Sequence, residues 1–413
     1  MAQAQRLCGT TEYVQQLIKA NPSLKNSYNK VQQQTSSLIF RPDGSQSRDT
    51  IPNQVITIPV VIHVLYNTSE QNISDAQILS QLAVLNQDYR RQNADTSLTP
   101  GPFKQFAADA KFTFCLAQID PTGNRTTGII RKFTNNGLFL TDDAVKYSAQ
   151  GGDDAWDCTK YLNIWVCNLT GRSLGYATPP GGPADRDGVV IGFNVFGTVG
   201  PNLRYPFNKG RTATHEIGHW LGLIHIWGDA ECGDDQVDDT PQQETYNFGC
   251  NSFPHTSNCS PNANGDMFMN FMDFSDDACM NMFTAGQVKR MRALFATGGI
   301  RNSFLTSFQC DSTLAQAGPL PVTTTTPPAD TIVAQVIKVY PNPVHSQLTI
   351  EGNKISKISP KTLHIYNSLG VQLLSKELTQ PKTAVNLTGF VSGVYVIQIA
   401  NGASSFTTKI MVD

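Results

Sequence analysis

No stretch of this chain is apolar for long enough to span a bilayer, no run of lysine or arginine occurs, and no two cysteines stand in C-x-x-C spacing. The first absence excludes a transmembrane helix. The second, with a formal net charge of -2, excludes nucleic acid and anionic membrane surfaces as obvious partners. The third counts against a second, cysteine-based metal site. The opening Met1–Gln5 also lacks the charged-then-apolar pattern of a secretory signal, which leaves either a signal already removed or a cytosolic protein. Cysteine usage argues against the cytosol. Of nine cysteines, four (Cys232, Cys250, Cys259, Cys279) crowd one loop-rich region, where disulfides would staple a stretch with little regular structure. An odd total leaves at least one thiol unpaired within the chain.

With 40% hydrophobic and 15% charged residues over 413 positions, the composition is that of a globular chain of two or three modules. Residues 1–47 are rich in Gln, Asn and Ser, carry one short helix around Thr11–Ala20, and read as a pro-segment or arm laid on the following domain. Ile51–Tyr66 is a β-branched, mostly buried strand, with His63 read as a core histidine. Ser74 caps a helix that carries Ile78, Leu82, Leu85 and Tyr89 at helical spacing. Lys111–Ile119, Tyr161–Leu169 and Val189–Phe193 are further strands, and Gly175-Tyr176-Ala177 is either a sheet edge or a turn. This order predicts an α/β (α+β) layer, a twisted sheet packed on helices, over residues 48–310. Thr284 opens its last helix, with Val288, Met291, Leu294 and Phe295. A Thr/Pro-rich linker covers 311–331. Six short alternating segments from Val336 to Val412 then form a small all-β sandwich over 332–413.

The chemistry sits in His215-Glu216-Ile217-Gly218-His219-Trp220-Leu221-Gly222-Leu223-Ile224-His225. On a helix, His215 and His219 lie one turn apart on one face with Glu216 beside them. Gly222 accepts the positive φ that ends the helix and lets the chain bring in His225 as a third ligand. Three imidazoles leave one position open on zinc, which is the catalytic form of such a site. Zinc would bring a bound water toward neutrality, Glu216 would take its proton, and the hydroxide would attack a polarised carbonyl.

The extended motif followed by a Met-turn is the metzincin signature. With Asn270-Phe271-Met272-Asp273-Phe274 and Asp276–Phe283, the chain resembles the pappalysin family of metzincins, in particular its bacterial, ulilysin-like or mirolysin-like members, over about residues 48–300. That resemblance implies Met272 as the floor under the histidines and disulfides Cys232–Cys259 and Cys250–Cys279. It also implies Asp277 at the base of the S1′ pocket, favouring Arg or Lys after the scissile bond. Family members commonly carry Tyr two residues after the Met-turn methionine, where this chain has Phe274.

The acidic loop after the third histidine, with Asp235, Asp238 and Thr240, suits calcium, which related enzymes bind in this region; an unoccupied acidic loop is the alternative. Arg6-Leu7-Cys8-Gly9-Thr10 resembles the pro-segment motif of such zymogens, in which a thiolate fills the open zinc position. A disulfide from Cys8 to Cys115, Cys158, Cys167 or Cys310 is the alternative. Ser47-Arg48 is a fitting activation cut, because it places Arg after the scissile bond. The C-terminal segments, with Val339-Tyr340-Pro341-Asn342-Pro343 and Gly393-Val394-Tyr395, resemble the sorting domain of type IX secretion, which implies that machinery as a partner; a carbohydrate- or surface-binding module fits the same strands. The expectation is a zinc endopeptidase made as a zymogen, secreted or held at the cell surface, acting on proteins or peptides. A zinc-containing binding protein without activity and another zinc amidohydrolase are the alternatives, and the intact Glu216 speaks against the first.

Overall fold

The computed structural model describes residues 6–39, 52–169, 173–259, 264–314, 337–352, 361–367, 372–400 and 405–413. The chain divides into two compact units, residues 1–323 and 324–413. In the first unit, α1 (Thr10–Ala20) and α2 (Ser23–Ile39) precede the sheet. The sheet comprises β1 (Ile56–Tyr66), β2 (Phe112–Leu116), β3 (Ile129–Phe133), β4 (Leu162–Cys167), β5 (Gly175–Ala177) and β6 (Gly188–Gly192), with α3 (Asp75–Asp88) after β1. The helices α4 (Arg211–Trp220) and α5 (Ala285–Ala293) complete the unit.

β1 is central. Its first half pairs with β2 and its second half with β3 on the same side, while β4 pairs on the other, all in parallel. β6 continues the parallel sheet beyond β4, and β5 closes it as an antiparallel edge. Because alternate residues of a strand face opposite sides, Ile58, Val60, Ile62 and Val64 join the main core with Ile78, Leu85 and Tyr89 of the α3 region and Ala213, Ile217 and Trp220 of α4. Leu65 faces the other way and packs with Trp165, Tyr176 and Val190 against Tyr13 and Leu17 of α1. His63 on that second face is a core histidine as expected, held between Asp153 and the Asn163 side chain.

The caps behave as their residue types dictate. Ser74 accepts from the Gln77 amide at 3.2 Å, and Thr284 and Gln287 form a reciprocal capping box on α5. One helix and two strands carry little signal in the sequence. α2 has almost no apolar face, and is held by polar side chains: Gln34 donates to the Gly298 carbonyl and Lys289 to the Ile39 carbonyl. β3 is only half buried, so its pattern carries little signal. β11 (Lys382–Asn386), in the second unit, is equally short and mostly exposed.

The second unit is two packed sheets. β10 (Gln372–Leu378), β9 (Lys361–Tyr366), β12 (Gly393–Ala400) and β13 (Ser405–Val412) form one, while β11, β8 (Gln347–Gly352) and β7 (Ile337–Tyr340) form the other. Leu348, Ile350 and Val385 meet Leu363, Ile365, Ile397 and Ile399 in a common core.

A buried ion pair fixes the C-terminal end of α4. Asp187 accepts from Arg301 at 2.9 Å and from the Trp220 indole at 2.6 Å, and the guanidinium lies 3.9 Å over the indole ring. Removing one partner strands a buried charge. Asp187→Ala is therefore expected to cost roughly 3–5 kcal/mol, read as a drop in urea midpoint; a loss under about 1 kcal/mol would show that Arg301 regains solvent.

Candidate active site

All three histidines are anchored at Nδ1, each by a different element. His215 bonds the Phe271 carbonyl at 2.7 Å, His219 the Leu223 carbonyl at 2.9 Å, and His225 the Asp229 carboxylate. Gly222, at φ 84°, makes the turn that allows the last two, since the chain must double back within three residues of α4. With each Nδ1 proton committed to a carbonyl or carboxylate, the Nε2 atoms carry lone pairs. They converge: His219 Nε2 lies 3.2 Å from that of His215 and 3.1 Å from that of His225.

Burial, reinforced by the neighbouring rings, lowers the pKa of His215 well below normal and takes His219 to about 3, so neither relieves the crowding by protonation. Three lone pairs at this spacing fit a shared cation. Nitrogen ligands of a tetrahedral zinc at about 2.0–2.1 Å stand roughly 3.3 Å apart.

Cys8 completes the group: its Sγ and the three imidazoles lie within 4.8 Å of one another, the one cluster of metal-binding side chains among the described residues. Burial and the Glu216 carboxylate push its thiol pKa up. A thiolate there needs a cation beside it, which the imidazoles are arranged to hold. Glu216 is fully buried, its pKa raised to about 7 by that burial, and its Oε2 accepts from Thr10 Oγ1 at 3.0 Å and from Cys8 Sγ at 3.3 Å.

Met272 lies beneath α4. A Cβ built on Gly218 would meet its sulfur at 2.5 Å, so any larger residue there would displace the Met272 side chain. Phe274 packs edge-on against His225 at 4.9 Å and against Trp227 at 4.7 Å, and Trp227 stacks on that imidazole at 4.3 Å.

Asp277 is wholly buried at the start of α4, where its Oδ2 accepts from the amides of Lys209 at 2.7 Å and Arg211 at 3.3 Å. Its Oδ1 pairs with Arg6, whose guanidinium also donates to Ser275 O and Thr212 Oγ1 and lies over Phe207. No local pattern in the sequence assigns Arg6 a role, because its partner is 271 residues away.

The stretch between Arg6 and Thr10 runs along the β5 edge. Leu174 N donates to Leu7 O at 2.8 Å, and Gly9 N to Gly175 O at 2.9 Å. The disulfides are Cys232–Cys259, Cys250–Cys279 and Cys115–Cys310; Cys8, Cys158 and Cys167 are free. In the acidic loop, Thr240 Oγ1 and the Val237 amide donate to Asp235 Oδ1, while Asp235 Oδ2 and Asp239 Oδ1 are buried without a hydrogen-bond partner. Asp238 is exposed. Ser47 and Arg48 lie outside the described residues.

Residues 145–296 match the peptidase M43 family described as pregnancy-associated plasma protein-A, and residues 338–413 match the secretion system C-terminal sorting domain. An extracellular metalloprotease of Pyricularia oryzae is 32% identical over 251 residues, 58% of this chain and 75% of the relative. The corresponding protein of Arthroderma gypseum is 30% identical, covering 58% and 72%. Mature mirolysin of Tannerella forsythia, in complex with a cleaved peptide, is 51% identical with a TM-score of 0.61, covering 64% of this chain and all of that one. A promirolysin variant of the same organism is 47% identical with a TM-score of 0.67, covering 73% and 97%.

The chain belongs to the pappalysin family of metallopeptidases. It has the mirolysin-like metzincin fold, and the family implies catalytic zinc at the histidine cluster. It is a secreted or cell-surface zinc endopeptidase with disulfides and a C-terminal sorting domain.

For this pappalysin, Asp229 is the carboxylate that orients His225. Replacing such an outer partner usually weakens metal binding 10–100-fold. Asp229→Ala is expected to do so in a zinc competition assay with an unchanged circular dichroism spectrum. Wild-type affinity in this variant would show that ring packing alone orients His225.

Proposed function

We propose that the chain is the latent form of a zinc endopeptidase that cuts before arginine, with residues 1–47 as pro-segment, 48–310 as catalytic domain, 311–331 as linker and 332–413 as sorting module for type IX secretion. The observation that carries this reading is the placement of Arg6 and Cys8. One side chain fills the Asp277 pocket and the next but one faces the three imidazoles, so the pro-segment occupies the two positions a substrate needs.

His215, His219 and His225 would hold zinc through Nε2. When bound there, zinc supplies Lewis-acid chemistry, acidifying a water and polarising the scissile carbonyl. The residues of the chain do the rest. Once Cys8 leaves, its position between the imidazoles and Glu216 becomes available to water. Glu216 accepts a proton at Oε2 and delivers it to the amine that departs. The β5 edge, free of Leu7–Gly9, takes the substrate backbone. Asp277, its second oxygen already bonded to two amides, receives a guanidinium as it now receives Arg6. Lysine, a point charge without the planar fork, fits that geometry less well. The buried, unpartnered oxygens of Asp235 and Asp239 support a calcium ion at the loop that includes Asp238 and Thr240. The promirolysin likeness supports latency, and Ser47-Arg48 supplies the arginine that self-processing would require.

Mass spectrometry of casein fragments should find Arg as the dominant first residue after the cut. Glu216→Ala should lose activity by at least about a thousandfold while retaining zinc, a size typical of removing the group that handles the proton together with its partners. Retained hydrolysis in that variant, or cuts without arginine, would reject the roles of Glu216 and Asp277 respectively.

Cys8→Ala in the full chain should give peptide hydrolysis before any processing, and N-terminal sequencing of the wild-type product should begin at Arg48. A Cys8→Ala chain as latent as wild type would falsify the thiol lock.

A further inference from the structure

The pro-segment makes a third anchorage that the catalytic chemistry does not use. Beyond Thr10, α1 inserts Tyr13 into a socket built by the segment 143–187, and only 1% of the residue remains exposed. The phenol donates to Asp143 Oδ2 at 2.7 Å, lies 3.3 Å from Thr178 Oγ1, and receives a bond from Lys146 Nζ at 3.3 Å. The ring sits 4.9 Å from that of Tyr176, and the Lys146 ammonium lies over its face at 4.8 Å.

The walls are held independently of Tyr13. Lys146 is fully buried, pairs with Asp143 Oδ1 at 2.9 Å, and donates to Thr178 Oγ1 and the Arg186 carbonyl. Arg186 donates in turn to Asp143 Oδ2 at 3.2 Å. Asp143 itself takes a left-handed backbone, φ 66°, that aims its carboxylate inward. A desolvated cation over an aromatic face and a charge-assisted bond to a phenol are the chemistry that separates tyrosine from phenylalanine and from aliphatic side chains.

The position of the socket gives it a second use. From Leu7 to Thr10 the pro-segment follows β5 from Leu174 toward Ala177, whose amide donates to Thr10 Oγ1 at 2.9 Å. Thr178 comes next. Arg6 lies on one side of Cys8, in the pocket read above as receiving the residue after the scissile bond, and Tyr13 lies on the other. Gly175 stands beside Glu216, so Thr178 is about 10 Å further along an extended chain, roughly three residues upstream of the cut.

We propose that this socket is a tyrosine-binding site of the catalytic domain, occupied by Tyr13 in the latent protein and by a tyrosine of the peptide substrate, two to four residues upstream of the scissile bond, once the pro-segment is gone. The substrate half rests on the endopeptidase reading; the pro-segment half does not.

The two halves are tested separately. In the full chain, labelling of Cys8 by a thiol reagent, followed at that residue by mass spectrometry, reports how often the pro-segment lifts. Tyr13→Phe should label roughly tenfold faster than wild type, the size expected for losing a hydrogen bond to a charged group, and Tyr13→Ala faster again. Equal rates in all three chains would overturn the anchorage. Both substitutions lie in the segment that is removed, so the processed enzymes are identical and must share one kcat/KM.

For the substrate half, enzyme activated from the wild-type chain is given peptides with Arg after the cut and Tyr, Phe or Ala at the second, third or fourth upstream position. Tyr should exceed Phe, and Phe exceed Ala, at a single position. A flat profile with intact cleavage before Arg sinks the substrate role alone, whereas no cleavage of any peptide sinks the endopeptidase reading and leaves the labelling result to judge the anchorage.

Discussion

Three converging imidazole nitrogens, that of His219 lying 3.2 Å from His215 and 3.1 Å from His225, are the constraint on which the rest of the first unit depends. Such an arrangement costs energy without a cation, and it persists only because each ring is tied at its far nitrogen. Those ties recruit the chain widely. The Phe271 carbonyl fixes the Met272 segment, the Leu223 carbonyl requires the turn at Gly222, and Asp229 holds the loop after α4. Ser275 and Asp277, a few residues beyond Met272, then meet Arg6 at the start of the same helix, so the histidine cluster and the Arg6–Asp277 pair share one scaffold. A change in the path of residues 270–277 would alter both.

Latency, in this reading, uses the groups that catalysis needs and adds none to the cleft. Cys8 faces the imidazoles, Thr10 bonds the Glu216 carboxylate, and Arg6 neutralises Asp277. Each of these groups would be costly to bury alone: a carboxylate without a partner, a carboxyl with an unfilled acceptor, three lone pairs in contact. The pro-segment satisfies them with its own side chains until substrate or water can. Because α1 and α2 add contacts far from the metal, through Tyr13, Leu17 and Gln34, a single cut in the chain need not release the segment at once.

The local parts of this design were legible in the sequence and the distant parts were not. H-E-x-x-H, the glycine and the third histidine lie within eleven residues, so helical geometry alone relates them. Capping at Ser74 and Thr284 and the alternation of β1 have the same local character. The pairing of Cys115 with Cys310 spans 195 residues, and no spacing rule selects it among the connectivities that the cysteines allow. Arg6 and Asp277 are equally remote, and only the fold brings them together. α2, β3 and β11 were missed for a different reason: each is held by hydrogen bonds or by half-buried packing, so the apolar periodicity that reveals an element is weak.

Phe274 shows how packing can stand in for a polar group. The family resemblance leads to the expectation of a tyrosine at this position, and this chain has phenylalanine. Its ring nevertheless lies edge-on to His225, Trp227 stacks on that imidazole at 4.3 Å, and Tyr246 closes on Phe274 at 5.1 Å. An aromatic box of this kind supports the orientation of His225 through dispersion and quadrupole contacts, alongside the hydrogen bond from its Nδ1 to Asp229. The contribution that phenylalanine cannot make is a hydroxyl hydrogen bond. What the ring retains is the wall of the site, so phenylalanine keeps the packing around His225 while offering no hydroxyl.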